Sequence, residues 1–151
     1  MSAIDGKGRV AIPAKLRATL EINSGNERVI ALSRSRTSPC LTGYDLPYSD
    51  LLPEVLAREM AEREPDAPKM SRENLNRMAF GVVEDVPYDA SGRLVIPPFM
   101  RKLGQLEDLA FFHGSGDIIE IWNPQVLLNT PDAPPMLLDL VTFLLEERAA
   151  K

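Results

Sequence analysis

Two arginines, each four residues after an aspartate, are the side chains whose type and spacing best suit them to chemistry. Arg9 follows Asp5 and Arg93 follows Asp89. The stretches around them, "DGKGRVAIPAKLR" (5–17) and "DASGRLVIPPFMR" (89–101), share six of thirteen aligned positions at a constant offset of 84. An arginine keeps its charge, neutralises phosphate, and can hold a guanine edge through two hydrogen bonds. Lys7 lies inside the first motif, and Lys15 and Arg17 follow on the next element. Arg34 and Arg36 occupy the polar loop "SRSRTSP". The candidate DNA-contacting set is therefore Lys7, Arg9, Lys15, Arg17, Arg34, Arg36 and Arg93. Each has a plainer use. Arg9 could pin its turn by a salt bridge to Asp5, Lys15 and Arg17 could be solvated helix charges, and Arg34 and Arg36 could belong to a flexible loop. The second motif has Ser91 where the first has Lys7, and Glu84 and Asp85 stand near it in sequence. Local charge thus favours DNA contact by the first motif and a structural use for the second.

The acids and glycines read as turn formers. An Asp side chain accepts hydrogen bonds from the backbone two residues on, and Gly takes positive φ cheaply. Asp5, Gly8, Asp89 and Gly92 are assigned that role, with Asp5 capping its turn and orienting Arg9. Other reactive residue types are scarce. The single cysteine, Cys40, sits in an apolar stretch and reads as core. The single histidine, His113, has no nucleophile partner motif, and one histidine with one cysteine makes no ordinary zinc site. Trp122 reads as core or interface. No cofactor or metal is expected. "DGKG" has some look of a phosphate loop, but the Walker pattern is absent.

The chain of 151 residues suits one or two small domains. The opening "MSAIDGKGR" has no apolar signal region, and the apolar stretches are too short to span a membrane. With one cysteine and no such signal, a cytosolic chain is expected. The net charge of −5 is unevenly spread. Residues 1–44 carry seven basic and three acidic side chains, a net +4, and residues 45–151 carry ten and nineteen, a net −9. One basic face on an acidic body is the implied arrangement.

The elements that must position these residues come next. Each Asp–Arg motif predicts a turn between two short strands, then a Pro opening a short helix, over 13–20 and 97–103, with Gly104 as a stop. A strand pair follows each, at 28–33 with 40–44 and at 109–113 with 118–122, and then a further helix. The first of these, over 50–63, carries Leu52, Val55, Leu56 and Met60 at helical spacing. The second opens at Asn123 and Pro124. Residues 64–70 read as a linker, and a helix is expected from Ser71 toward Met78. After the break "TPDAPP", residues 136–150 predict a final helix with a broad apolar side, packed on the body or on a neighbouring subunit. Neither β-rich copy can bury its own apolar face, so the two should fold against each other.

These two motifs, together with "CLTGY" and "HGSGDIIEIW" followed by a helix, resemble the paired Asp-x-x-x-Arg signatures of the MraZ family, in the SpoVT-AbrB superfamily. The resemblance covers about residues 1–128. It implies an α+β fold: a pseudo-symmetric β-barrel of two swapped-hairpin AbrB-like repeats, with short flanking helices and a C-terminal helix. The expected division is a first repeat at 1–47, a connecting helical segment at 48–80, a second repeat at 81–128, and a linker with the last helix at 129–151. It also implies a ring-forming, DNA-binding transcriptional regulator of the division and cell-wall gene cluster. Its partners would be double-stranded DNA and further copies of itself, not a membrane, and its place the cytoplasm and nucleoid. The family carries more residues before its first Asp than the four here, which implies a short first strand or a trimmed start.

The acidic body supports a second hypothesis, a ring-forming interaction module without DNA binding. An enzyme using the Asp–Arg turns as a phosphate site ranks a distant third, since no acid–base pair with a nucleophile can be assembled. Binding to DNA with steep salt dependence separates the first from the others.

Overall fold

The computed structural model describes residues 1–63, 65–66 and 71–151. The first half runs β1 (Ser2–Ala3), β2 (Arg9–Ala11), α1 (Ala14–Asn23), β3 (Val29–Arg34), β4 (Leu41–Tyr44) and α2 (Leu46–Ala61). After α3 (Arg72–Phe80), the order recurs as β5 (Glu84–Pro87), β6 (Arg93–Val95), α4 (Pro98–Leu103), β7 (Leu109–Ser115), β8 (Ile118–Trp122) and α5 (Pro124–Leu128). The chain closes with α6 (Pro135–Ala149). The expected repeat of strand, turn, strand, helix, strand, strand, helix is therefore present. Most of the predicted linker, residues 64 and 67–70, lies outside the described residues.

Local chemistry accounts for most boundaries. Asn123 caps α5 by accepting from Gln125 N at 2.9 Å, with Pro124 in the first turn. Ser71 caps α3 through Asn74 N at 3.2 Å. The α2 helix begins at Leu46, four residues ahead of the expected start. Asp45 supplies the cap, accepting from Tyr48 N at 2.8 Å, and Pro47 is tolerated in the first turn, where its N–H would have no helical partner. Pro53 lies inside the same helix. The α1 helix outruns the expected Leu20 to reach Asn23, ending where Gly25 and Asn26 take positive φ.

All pairings are antiparallel. Six strands form a curled sheet in the order β1-β7-β8-β4-β3-β5, and β2 pairs with β6 in a separate ribbon. Strands cross between halves: β1 of the first lies on β7 of the second, and β5 of the second on β3 of the first. Exchanging each strand for its counterpart in the other half (β1 with β5, β3 with β7, β4 with β8) reverses the sheet order and leaves the pairing unchanged. The pseudo-twofold axis therefore runs between β4 and β8, which pair from Leu41↔Ile121 to Gly43↔Ile119. The result is a mixed α+β, barrel-like body.

Its core combines both halves: Ile4, Val10, Ile12, Ile30 and Leu32 pack with Tyr88, Leu94, Ile96, Met100 and Ile121. Each large aliphatic side chain buried there contributes about 1.5–3 kcal/mol. Outside the sheet, Leu52 and Leu56 of α2 and Leu75 and Ala79 of α3 cover Ala31 and Tyr44. Correspondingly, Leu127 of α5 and Val141 of α6 cover Cys40, Phe111 and Trp122. The last helix thus packs on the body through one side, and Met136, Leu140 and Phe143 stay exposed. Among the described residues, no helix is long and apolar enough to cross a membrane.

Candidate nucleic-acid interface

Each Asp–Arg motif closes on itself in the same way. Asp5 Oδ1 accepts from Lys7 N at 2.9 Å and Arg9 N at 3.0 Å, and its Oδ2 accepts from Arg9 Nε at 2.6 Å. Backbone bonds from Gly8 N to Asp5 O and from Asp5 N to Arg9 O complete the turn, with Gly8 at φ +79°. In the second motif Asp89 Oδ1 accepts from Ser91 N at 2.9 Å, Ser91 Oγ at 2.6 Å and Arg93 N at 2.9 Å. Asp89 Oδ2 accepts from Arg93 Nε at 3.1 Å, and Gly92 has φ +81°. These bonds favour the charged carboxylate. Asp5 is held below its ordinary pKa chiefly by the Arg9 backbone N–H and then its guanidinium. Asp89 is held well below the carboxylate range, first by the Ser91 hydroxyl and then by the Arg93 backbone N–H. Both arginines spend Nε on the acid and stay largely at the surface; the Arg9 side chain is 56% exposed and that of Arg93 68%.

The ribbon brings the two motifs together. Arg9 pairs with Val95, Val10 with Leu94, and Ala11 with Arg93. Because strand side chains alternate, Val10 and Leu94 face the core, where both are buried. Arg9, Ala11, Arg93 and Val95 share the outer face. A shallow depression there is lined by both Asp–Arg pairs, Ala11 and Val95. Local charge ranked the two repeats unequally, yet the fold places Arg9 and Arg93 diagonally across one ribbon. Of the grounds for that ranking, Ser91 does stand in the second turn where Lys7 stands in the first, and Glu84 and Asp85 lie on β5, opposite Leu32 and Ala31.

The other candidates fall in several places. Lys7 is exposed in the first turn and Lys15 on α1. Arg17 is half-buried and its stem lies against Gly92 of the other repeat. Arg34 and Arg36 stand at the far end of β3 from the ribbon, roughly 16 Å along the strand. There Arg34 Nη1 donates to Ser35 O at 3.1 Å, and Arg36 is paired with Glu59 at 2.6 Å with its side chain 19% exposed. The fold therefore does not bring this loop together with the ribbon. Nothing in the charge pattern points to the Ser91 hydroxyl as a turn former or to Arg101. The recurrence of Arg17 as Arg101 was the available signal for the latter.

Residues with other reactive chemistry are structural in setting. Cys40 is fully buried, and burial pushes its thiol up to about 12. His113 stacks on Phe111 at 5.9 Å, and Trp122 Nε1 donates to Glu120 at 2.9 Å.

No protein-family model matches the chain. It is 34% identical over 130 residues to the transcriptional regulator MraZ of Ruegeria pomeroyi, an alignment spanning 80% of this chain and 72% of that protein. It is 30% identical over 133 residues to the protein of the same name in Azotobacter vinelandii, spanning 87% and 81%. With that of Pseudomonas aeruginosa it shares 29% identity over 123 residues, spanning 80% and 75%.

Proposed function

We propose, because the chain belongs to the MraZ family of transcriptional regulators, that it regulates transcription by binding double-stranded DNA through the β2–β6 ribbon. The observation that carries this reading is the outer face of that ribbon, where Arg9 and Arg93 are both aimed by an aspartate and both exposed. An antiparallel ribbon fits the major groove, and two aimed guanidinium groups can read base edges there. Lys7 and Lys15 supply phosphate contacts beside them. In this reading the interleaved halves are two swapped-hairpin repeats, at 1–47 and 81–128, joined by the helical segment 48–80 and followed by 129–151. The protein works in the cytoplasm, on the nucleoid.

Each ribbon offers few cations, and Asp5 and Asp89 offset part of their charge. Useful affinity then calls for several ribbons on one duplex, and a ring of copies provides them by raising the effective concentration of each ribbon after the first. The net charge of −5 favours a second reading, a ring-forming interaction module that does not bind DNA. A gel shift with the DNA upstream of the protein's own gene, titrated with salt, decides between them. Binding that weakens steeply with salt is the expected result. No shift at low salt, from protein that light scattering shows to be assembled, would favour the second.

A further inference from the structure

Six residues recur at the offset of 84, and the turns account for three of them: the Asp, the Gly and the first Arg. The last Arg of each motif belongs to neither its own turn nor the open surface. Arg17 lies in the first half of α1 and Arg101 in α4. Each is laid against the turn of the opposite repeat. A Cβ on Gly92 would fall 2.8 Å from Arg17 Cδ, 2.8 Å from its Nη1 and 3.1 Å from Ile12 O. A Cβ on Gly8 would fall 3.1 Å from Ile96 O, 3.3 Å from Arg101 Cδ and 3.6 Å from its Nη1. The backbone bonds cross in the same sense, Ile12 N donating to Gly92 O and Ile96 N to Gly8 O, both at 2.9 Å.

We propose that Arg17 and Arg101 are positioning residues that clamp the Asp–Arg turn of the opposite repeat, Arg17 fixing the aim of Arg93 and Arg101 that of Arg9. The inference about aim rests on the DNA-binding reading of the ribbon; the clamp itself does not. Its geometry follows from the recurring Ile-Pro step. Pro13 and Pro97, at φ −53° and −55°, fix how each helix leaves the ribbon. Arg17 N and Arg101 N then bond back to Pro13 O and Pro97 O, each at 3.0 Å. A side chain in a first helical turn points back toward the N-terminus. Here that direction leads over the end of the preceding strand, to the glycine bonded to Ile12 or Ile96.

Only glycine leaves room for the stem and accepts the positive φ. The recurrence of Gly, Ile, Pro and Arg together is thus one crossed joint made twice. The arginines' polar contacts agree with packing as their main use. The Arg17 side chain makes no hydrogen bond or ion pair among the described residues. Arg101 Nε is buried without a partner, and its Nη2 reaches Glu107 O at 3.3 Å.

Amide hydrogen exchange, followed by NMR on the full chain without DNA, tests the clamp. Arg17→Ala is expected to speed exchange at Gly92 and Arg93 about tenfold relative to Gly8 and Arg9, and Arg101→Ala to give the converse pattern. Arg17→Met, which keeps a straight stem without the charge, should restore most of the protection at Gly92. Equal acceleration at both turns, or changes confined to α1, would overturn the proposal. So would an Arg17→Met variant that exchanges like Arg17→Ala. A second arm uses the DNA upstream of the protein's gene and a scrambled duplex. Arg17→Ala should narrow the preference for the former, whereas Arg17→Met should leave both the preference and the salt dependence unchanged. A drop of about one in the salt slope for Arg17→Met would make Arg17 a phosphate contact and refute its positioning role. Should the unaltered protein bind neither duplex, the DNA reading fails, and the crossed exchange pattern still decides the clamp.

Discussion

Asp5 serves two ends with two oxygens. Its Oδ1 closes the turn on the N–H groups of Lys7 and Arg9, and its Oδ2 holds the Arg9 guanidinium. The two substitutions that dissect the pair therefore act differently. Arg9→Ala removes the guanidinium and leaves the turn bonds in place. It should keep its melting temperature and lose about 1–3 kcal/mol of affinity for each base-edge contact removed. Asp5→Ala removes the acceptor of two backbone donors, so calorimetry should show a lower melting temperature. It also removes a negative charge from the ribbon face, which by electrostatics alone would strengthen binding. We expect weaker binding to the specific duplex, because an unaimed Arg9 costs more than the relieved repulsion gains. Binding to a scrambled duplex should hold or rise. Tighter specific binding by Asp5→Ala would show that the acid does not aim the arginine. The same bonds set a pH dependence. Both carboxyls are depressed by hydrogen bonds to their charged form, so their contribution to stability is complete above the unfolded value, about 3.9. It is lost as pH falls through the lower folded values. Melting curves of Asp5→Asn with Asp89→Asn should therefore show a shallower decline below about pH 4 than those of the unaltered chain.

At the scale of the element, the ribbon is three residues on each side, too short to fix its own register. Its register comes from the turns, and Gly8 and Gly92 are where the turns meet the opposite strand. Gly6 provides an internal control, since a Cβ there would meet nothing within 4 Å. Gly6→Ala should lie within about 0.5 kcal/mol of the unaltered protein in denaturant unfolding. Gly92→Ala must hold an alanine at φ +81° and displace Arg17, and should cost at least about 1–2 kcal/mol from the backbone alone. Equal costs would mean that the crossed packing is not under tension. This contrast also marks what could be read in advance. The turns, the Pro-opened helices and the Asn123 cap were legible because each is a local signal. The α2 start was missed because Asp45 lies one residue before Leu46-Pro47, and the apolar stripe becomes visible only a turn later. The local pairs β3–β4 and β7–β8 were legible too, but the pairings between the halves were not, since β1 and β7 meet over two residues each, more than a hundred positions apart. For the same reason the placement of Arg9 beside Arg93 could not be deduced from charges near each in sequence. The far position of Arg34 and Arg36 follows from the length of β3, but only once β5 is known to run alongside it.

At the scale of the whole molecule, the cations proposed for DNA on one copy are Lys7, Arg9, Lys15 and Arg93. Released counterions set the salt dependence, with a slope of log K against log salt of about −0.9 for each phosphate neutralised. Four cations on one copy can therefore give a slope no steeper than about −3.6. The body of the chain cannot add to this easily, because residues 45–151 without Arg93 carry nine basic and nineteen acidic side chains, a net −10, and would repel a duplex laid against them. A slope well beyond that limit requires ribbons from more than one copy on the same DNA. If the assembly engages three ribbons, the same limit rises to about twelve phosphates and a slope of roughly −11. The expected result is a slope steeper than −4, measured by fluorescence anisotropy between low and physiological salt on a duplex long enough for several ribbons. The same titration on a duplex of about one helical turn should fall back toward the single-ribbon limit, since neighbouring ribbons then have nothing to reach. A shallow slope on both duplexes, from protein that light scattering shows to be assembled, would mean that copies bind one at a time. In that case the ring would not be the source of affinity.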